Sequence, residues 1–183
     1  MELNQNTYNV HEFMQNMTVD EIKQYCINRA IDQYAAMIHV HGDYNLSTLV
    51  RNANFFGFKG VFYVGGKRDW DRRGSVGTHN YTPMTHYKSE QDFIDSCKQL
   101  GLRIVAVENN IPKYASKTTN FLPTYVPMKN SIYVFGEEQA GLSDLILDNS
   151  IEIITLPAYG SVRSINVGPT SAIILKTVRT NYK

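Results

Sequence analysis

The chain has 183 residues, of which 43% are apolar and 19% charged, so the composition favours a buried core and argues against extensive disorder. Its 18 basic and 17 acidic residues leave a net charge of +1, which excludes a globally basic nucleic-acid coat but permits a local basic patch. Two cysteines are too few for a disulfide framework. No apolar run approaches a membrane span, and residues 1–16 lack the pattern of a signal or transit peptide. We therefore expect a cytoplasmic protein without a membrane partner.

An N-terminal helix is predicted over residues 17–34. Thr18 and Glu21 have the spacing of a capping box, and apolar residues then recur at helical intervals. The apolar run 35–40 predicts the first buried strand. We therefore expect an N-terminal extension with one helix over residues 1–33 and a single domain over residues 34–183.

Beyond the first strand, predicted strands and helices alternate. Further strands are predicted at 61–64, 103–107, 131–135 and 151–156, with a short one or a connecting segment within 109–128. Helices are predicted at 45–56, 89–100 and 164–180, and residues 67–88 are predicted to be a loop. This pattern predicts an α/β fold, a mostly parallel sheet of about five or six strands with helices on both faces. In such sheets, ligands bind beyond the carboxyl ends of the strands.

The segment 45–53 (NLSTLVRNA) combines a helix start with a cation on an apolar face. Asn45 is a natural N-cap residue. Arg51 lies beside Leu49 and Val50, so its head group must reach a polar edge. A functional arginine and a surface arginine with a buried stem both fit this spacing.

A second segment, 133–143 (YVFGEEQAGLS), follows a strand with two glycines and two carboxylates. Gly136 and Gly141 have the spacing of a phosphate-binding loop, but Leu142 stands where the lysine should follow, which argues against nucleoside triphosphate chemistry. Glu137 and Glu138 alternate sides and are a poor glycosidase pair. An ordinary strand-to-helix turn is the alternative.

A third segment, 156–167 (LPAYGSVRSINV), ends a strand at a proline and continues as a loop of small residues. Ser164 and Asn166 flank Ile165 just before a predicted helix. The segment could be only a turn and a helix cap. Its backbone amides and carbonyls could also satisfy an adenine-like edge of a ligand.

The remaining candidates are weaker. His39 and His41 lie on one face of a strand, but no cysteine or carboxylate joins them at metal-ligand spacing, so we expect no metal site. Neither a Gly-x-Gly-x-x-Gly nor a Gly-x-Ser-x-Gly motif occurs, so a dinucleotide site and a serine hydrolase have no support.

A basic loop follows the second predicted strand. Arginine suits phosphate, and tryptophan can stack on an unpaired base. The two aspartates of the same loop fit a solvated surface loop instead. The candidate RNA contacts in this loop are Lys67, Arg68, Trp70, Arg72 and Arg73.

Taken in order, the three segments resemble the SpoU/TrmH family of RNA ribose 2′-O-methyltransferases, in the SPOUT superfamily. Residues 45–57 resemble motif 1, residues 135–143 motif 2 and residues 156–167 motif 3 of that family. The resemblance covers about residues 34–180. It departs from the family pattern at Asn52, where threonine is common, without loss of a required group.

The resemblance implies a C-terminal trefoil knot whose loops bind S-adenosylmethionine, and a homodimer. It assigns Arg51 to the catalytic position, with Asn45 and Glu138 as supporting candidates, and Arg163 as a possible substrate contact. The cofactor residues implied are Gly136, Leu156, Ala158, Gly160, Ser164, Ile165 and Asn166.

The expected function is therefore S-adenosylmethionine-dependent methylation of an RNA ribose 2′-hydroxyl. The 33 residues before the predicted domain are too short for a separate RNA-binding domain of the usual kind, a minimal build that favours tRNA as the substrate. Ribosomal RNA is the second choice. A non-catalytic RNA-binding protein with the same fold and an unrelated small α/β enzyme are the alternatives.

Overall fold

The strands form one parallel sheet in the computed structural model, which describes residues 9–39, 44–65, 70–109, 111–137 and 141–183. The strands are β1 (Ile31–Met37), β2 (Phe58–Val64), β3 (Met84–Tyr87), β4 (Arg103–Val107), β5 (Thr118–Asn120), β6 (Ser131–Phe135) and β7 (Glu152–Thr155). Their spatial order is β3-β2-β1-β6-β4-β7-β5, and each pair is parallel. The chain runs outward from β1 to β3 and then continues on the other side of β1, which creates a topological switch point beside β1.

Within the described residues, five α-helices precede, connect or follow the strands: α1 (Val19–Arg29), α2 (Tyr44–Phe55), α3 (Glu90–Gln99), α4 (Asp144–Asn149) and α5 (Val167–Asn181). The predicted α/β class and parallel sheet are confirmed. The sheet has seven strands in the described residues, because β3 lies in the segment predicted to be a loop. This edge strand is only partly buried and therefore lacks the apolar run of a central strand.

The first strand begins earlier than predicted. Helix α1 has the predicted capping box at Thr18, but it ends at Arg29, and β1 already starts at Ile31. The expected boundary between residues 33 and 34 therefore cuts through β1. Gln33 obscured this in the sequence, since it is polar yet fully buried and donates from Nε2 to the Met128 carbonyl at 2.7 Å.

Helices cover both faces of the sheet, as predicted. On one face α2 and α5 bury residues such as Leu49 and Leu175, and on the other α3 and α4 bury residues such as Phe93 and Ile146. Each fully buried side chain of this size contributes about 1.5–3 kcal/mol relative to exposure. Among the described residues, none of the helices is long and apolar enough to cross a membrane.

The N-terminal segment packs onto the rest of the chain through a small apolar cluster. Met14 and Ile22 are buried against Tyr81, which lies in the connection between β2 and β3. Cys26 borders this cluster and Cys97 lies inside the main core; both are free thiols. Burial raises the pKa of Cys97 to about 12, so this thiol behaves as a small apolar side chain.

Candidate active site

A cleft of about 380 Å³ opens beyond the carboxyl ends of β4, β6 and β7. Its lining comes from the loops that follow these strands and from the first turn of α5. The lining residues are Val107, Glu108, Asn109, Phe135, Gly136, Glu137, Gly141, Leu156, Ser164, Ile165, Asn166, Val167 and Thr170.

Five of the seven residues predicted at a cofactor site lie in this lining. Gly136 comes from the second segment, and Leu156, Ser164, Ile165 and Asn166 come from the third. Ala158 and Gly160 do not line the cleft, because the loop after β7 turns outward and exposes both. Tertiary structure thus brings together two segments that residues 144–155 separate in the sequence.

The glycines of the second segment allow its loop to fold back on itself. The Gly141 amide donates to the Glu137 carbonyl at 2.9 Å, and the two residues form an isolated antiparallel bridge. A Cβ atom on Gly136 would lie 2.4 Å from the Gly141 carbonyl carbon. Gly141 also has a φ of +65°, which disfavours other residues. The glycine spacing therefore reflects a tight turn at the rim of the cleft.

Glu108 holds that turn from the neighbouring strand. Its carboxylate accepts hydrogen bonds from the Leu142 amide at 3.0 Å and from the Asn109 amide at 2.8 Å. A Cβ atom on Gly141 would lie 2.7 Å from the same carboxylate. Glu108 belongs to none of the three motif segments; the signal in the sequence is a carboxylate directly after a buried strand, at the edge where ligands bind.

Asn109 joins β4 to the third segment. Its Oδ1 accepts from the Leu156 amide at 3.1 Å and from the Thr155 hydroxyl. Its Nδ2 donates to the carbonyls of Leu156 and Arg163, each at 3.2 Å. One amide side chain therefore ties both ends of the loop 156–163 to the sheet. Asn109 likewise lies outside the three motif segments.

The last helix begins at the cleft. Asn166 is the N-cap of α5, and its Oδ1 accepts from the Gly168 amide at 2.7 Å. The helix was predicted to start at Ser164, but it starts three residues later, at Val167. Residues 164–166 have extended or irregular backbone and face the cleft. The carbonyl of Asn166 accepts from the amide and the hydroxyl of Thr170.

Helix α2 carries Arg51 and packs on α5. A Cβ atom on Gly168 would lie 3.1 Å from Thr48 Cγ2, so the two helices approach closely. Asn52 donates from Nδ2 to the Gly168 carbonyl at 3.1 Å and to the Ser171 hydroxyl at 2.9 Å. Arg51, the preceding residue, is exposed. Asn45 is the second residue of α2 and not its N-cap, because the helix already begins at Tyr44.

The basic loop lies only partly within the described residues, which exclude Lys67 and Arg68. Trp70 is 9% exposed and belongs to the core cluster beneath α2, so the predicted stacking of this ring on a base is not available in this structure. Arg72 lies over the indole at 5.9 Å from the ring centroid. Arg73 is 86% exposed and pairs with Asp71 at 2.6 Å, which holds the pKa of that carboxyl down at about 2.

Of the two candidate histidines, His39 lies within the described residues, where it meets a carboxylate. Nε2 of His39 lies 2.9 Å from Glu90 Oε1, and the other carboxylate oxygen of Glu90 accepts from the Ser143 hydroxyl at 2.6 Å. His41 and Glu138 lie outside the described residues. Within the ranges that the structure covers, no group of three or more potential metal ligands comes together.

Comparison with solved structures identifies similar folds. The TrmH/SpoU tRNA modifying enzyme of A. aeolicus superposes with a TM-score of 0.72 at 22% identity, over 89% of this chain and 81% of that one. An AdoMet-bound rRNA methyltransferase from Sinorhizobium meliloti superposes with a TM-score of 0.68 at 21% identity, over 87% of this chain and 59% of that one. At this identity, the similarity establishes the fold.

Sequence comparison places the chain in a family. The tRNA (guanosine(18)-2′-O)-methyltransferase of Escherichia coli strain K12 is 25% identical over 150 residues, which are 80% of this chain. The matched region spans 62% of that enzyme's length. The model of one family matches residues 32–176, and therefore all three motif segments. The chain belongs to the SpoU rRNA Methylase family.

Proposed function

We propose that this protein transfers a methyl group from S-adenosylmethionine to a ribose 2′-hydroxyl of RNA, with tRNA as the first candidate substrate and rRNA as the second. The main support is the cleft at the carboxyl edge, where the second and third segments meet beside the helix that carries Arg51. The printed activity of the Escherichia coli relative, a tRNA 2′-O-methyltransferase, supports tRNA. The rRNA enzymes of the family support the second candidate.

The cleft suits the methyl donor in size and chemistry. Its volume of about 380 Å³ falls in the range typical of small-molecule sites. Apolar walls from Phe135, Leu156 and Ile165 fit a flat adenine ring, and backbone groups beside Gly136 can satisfy its polar edge. Glu108 adds a carboxylate to the lining, and a carboxylate can pair with a ribose diol or with an ammonium group. The donor supplies a sulfonium-bound methyl group, which is a strong electrophile.

The chain must then prepare the acceptor oxygen. During methyl transfer, the ribose oxygen forms a bond to the methyl carbon, the carbon–sulfur bond of the donor breaks, and the hydroxyl proton leaves. A ribose hydroxyl is a weak nucleophile at neutral pH, so alignment and help with the proton are both needed. Arg51 is exposed on α2, and arginine stays protonated in proteins. We assign Arg51 to orienting the ribose or its phosphate. The hydroxyl proton then passes to another base, for which a phosphate group of the RNA is a candidate.

The proposal extends to fold details and assembly. It includes the trefoil knot formed by the segments around the cleft, a homodimer, and a methyltransferase domain preceded by an N-terminal extension. It also includes RNA contacts by Arg72, Arg73 and Arg163, each of which is exposed, and action in the cytoplasm. Asn45 and Glu138 remain candidate supporting residues. Light scattering of the purified protein tests the dimer directly.

Two linked measurements test the activity. Calorimetric titration with S-adenosylmethionine and S-adenosylhomocysteine should give saturable binding near one site per subunit. Labelled-methyl transfer to total tRNA and to rRNA, followed by nuclease digestion, should then give a 2′-O-methylated nucleoside. RNA binding without donor binding would overturn the proposal in favour of a non-catalytic RNA-binding protein. Binding of a nucleoside triphosphate in place of the donor would point to an unrelated α/β enzyme.

A further inference from the structure

We propose that Asn52 is a positioning residue for methyl transfer, which holds the helix that carries Arg51 in register with the wall of the cleft. This inference rests on the proposed function. It starts from the two hydrogen bonds that the single Nδ2 group of Asn52 makes to a neighbouring helix, at 3.1 Å to the Gly168 carbonyl and at 2.9 Å to the Ser171 hydroxyl.

The partners of Asn52 form a closed network. Ser171 is fully buried, and its hydroxyl donates to the Gly168 carbonyl at 2.8 Å. The hydroxyl hydrogen of Ser171 is therefore already used in a hydrogen bond, and the hydroxyl oxygen accepts a hydrogen bond from Asn52. Both hydrogens of the Asn52 amide thus have fixed acceptors on α5. A side chain that is held at two points fixes the rotation and the translation of one helix on the other.

The same network reaches the cleft. The Gly168 amide donates to the Asn166 side chain at 2.7 Å, and Asn166 lines the cleft together with Val167 and Thr170. On α2, Arg51 is the residue directly before Asn52. A path of short contacts therefore leads from the cleft wall to the backbone that carries the guanidinium group. A shift of α2 along α5 would move Arg51 relative to the donor site.

Because α2 and α5 pack closely, α2 would move along α5 in a single step and not gradually. Thr48, one turn before Asn52, approaches the Cα atom of Gly168 so closely that a Cβ atom there would lie 3.1 Å from its methyl group. The helices touch at this point, and Asn52 adds the polar contact that selects one arrangement. Misplacement of a catalytic group by about 1 Å can reduce the rate by roughly 100-fold.

The test separates positioning from stability and from donor binding. Asn52→Ala removes both hydrogen bonds, and Asn52→Ser keeps a donor on a shorter side chain. We expect Asn52→Ala to lower kcat by about 10- to 100-fold, with little change in the Kd for S-adenosylmethionine or the KM for RNA. Asn52→Ser should recover part of kcat. Asn54→Ala is the matched control on the same helix, since the hydrogen bond that the structure describes for that amide goes to Cys26 Sγ, at 4.0 Å, and not to α5.

A double-mutant cycle completes the experiment. Ser171→Ala removes one of the two acceptors, so the effects of Asn52→Ala and Ser171→Ala on kcat should be less than additive. A wild-type kcat in Asn52→Ala, or additive effects in the cycle, would overturn the positioning role of Asn52. Neither result would affect the proposed function. A folded unsubstituted protein that binds RNA but transfers no methyl would overturn the proposed function and this inference with it.

Discussion

The side-chain amide of Asn109 pairs with both backbone groups of Leu156, accepting from its amide at 3.1 Å and donating to its carbonyl at 3.2 Å. This arrangement extends the β4–β7 pairing to a position two residues beyond its last register pair, Val107 and Ile154. The same Nδ2 group also reaches the Arg163 carbonyl. One side chain therefore gives the loop 156–163 a fixed base beside the cleft.

Replacement of Asn109 by alanine should loosen that loop. We expect a loss of about 2 kcal/mol in the free energy of unfolding, since several polar groups lose their partner. The affinity for S-adenosylmethionine should fall by about tenfold or more, because Leu156, Ser164 and Ile165 line the cleft. Chemical denaturation and calorimetry measure the two effects. Asn149→Ala, which removes a hydrogen bond to the Leu145 carbonyl within α4, should leave donor affinity unchanged.

Gly141→Ala should damage the cleft by collision with Glu108. The new Cβ atom would lie 2.7 Å from the carboxylate, in addition to the strain of about 1–2 kcal/mol at a φ of +65°. Gly101→Ala is a matched control, because its φ is +66° and nothing lies within 4 Å of the new atom. Both variants should lose stability in a denaturant titration, and only Gly141→Ala should lose donor affinity. Equal donor affinity in both would contradict the role of the turn.

Arg51→Ala should abolish transfer while it leaves the cleft intact. The side chain is exposed on α2 and is not part of the cleft lining, so calorimetry should give nearly unchanged donor affinity. We expect kcat to fall by about 100-fold or more, as for loss of one transition-state contact. Arg103→Ala provides a control, since Arg103 begins β4 at the opposite edge of the sheet. Normal transfer by Arg51→Ala would remove this residue from the mechanism.

His79 should make stability depend on pH. Burial, with a smaller contribution from the charge of Arg72, lowers its pKa below the ordinary value of 6.5. The folded state therefore favours the neutral ring more than the unfolded state does. This contribution is complete above pH 6.5 and is lost as the pH falls toward the folded-state pKa. Urea unfolding between pH 7.5 and 5 should show a smaller decline for His79→Gln than for the wild type or for His11→Gln.

Much of the secondary structure could be predicted from local patterns. The capping box at Thr18 is confirmed, the helix predicted at 89–100 is observed at Glu90–Gln99, and the central strands β4 and β6 have their predicted bounds. The predicted strands were wrong or missing where the polarity of a residue does not match its burial. Gln33 is polar inside β1, and β3 is a half-exposed edge strand with no apolar run. In both cases pairing with neighbouring strands decides the structure, and a local pattern carries no record of those neighbours.

The candidate site was predictable only where a motif could be recognised. The motif segments indicated Gly136, Leu156 and Asn166, which meet in one cleft. Trp70 is predicted to contact RNA because it lies in a basic loop, yet its ring packs into the core. Glu108 and Asn109 stand in no recognised motif. Their importance comes from hydrogen bonds to backbone groups that are more than 30 residues away in sequence.

By itself, the sequence determined the parallel α/β class, the resemblance to one methyltransferase family and five of the residues that border the cleft. Alternating apolar strands and helices record which faces are buried, and this information is local. Only the tertiary structure decided how α2 meets α5, how Asn109 anchors the loop 156–163 and where Trp70 lies. Such contacts depend on the register of distant segments, because hydrogen bonds and close packing act over a few ångströms in space, whatever the separation along the chain.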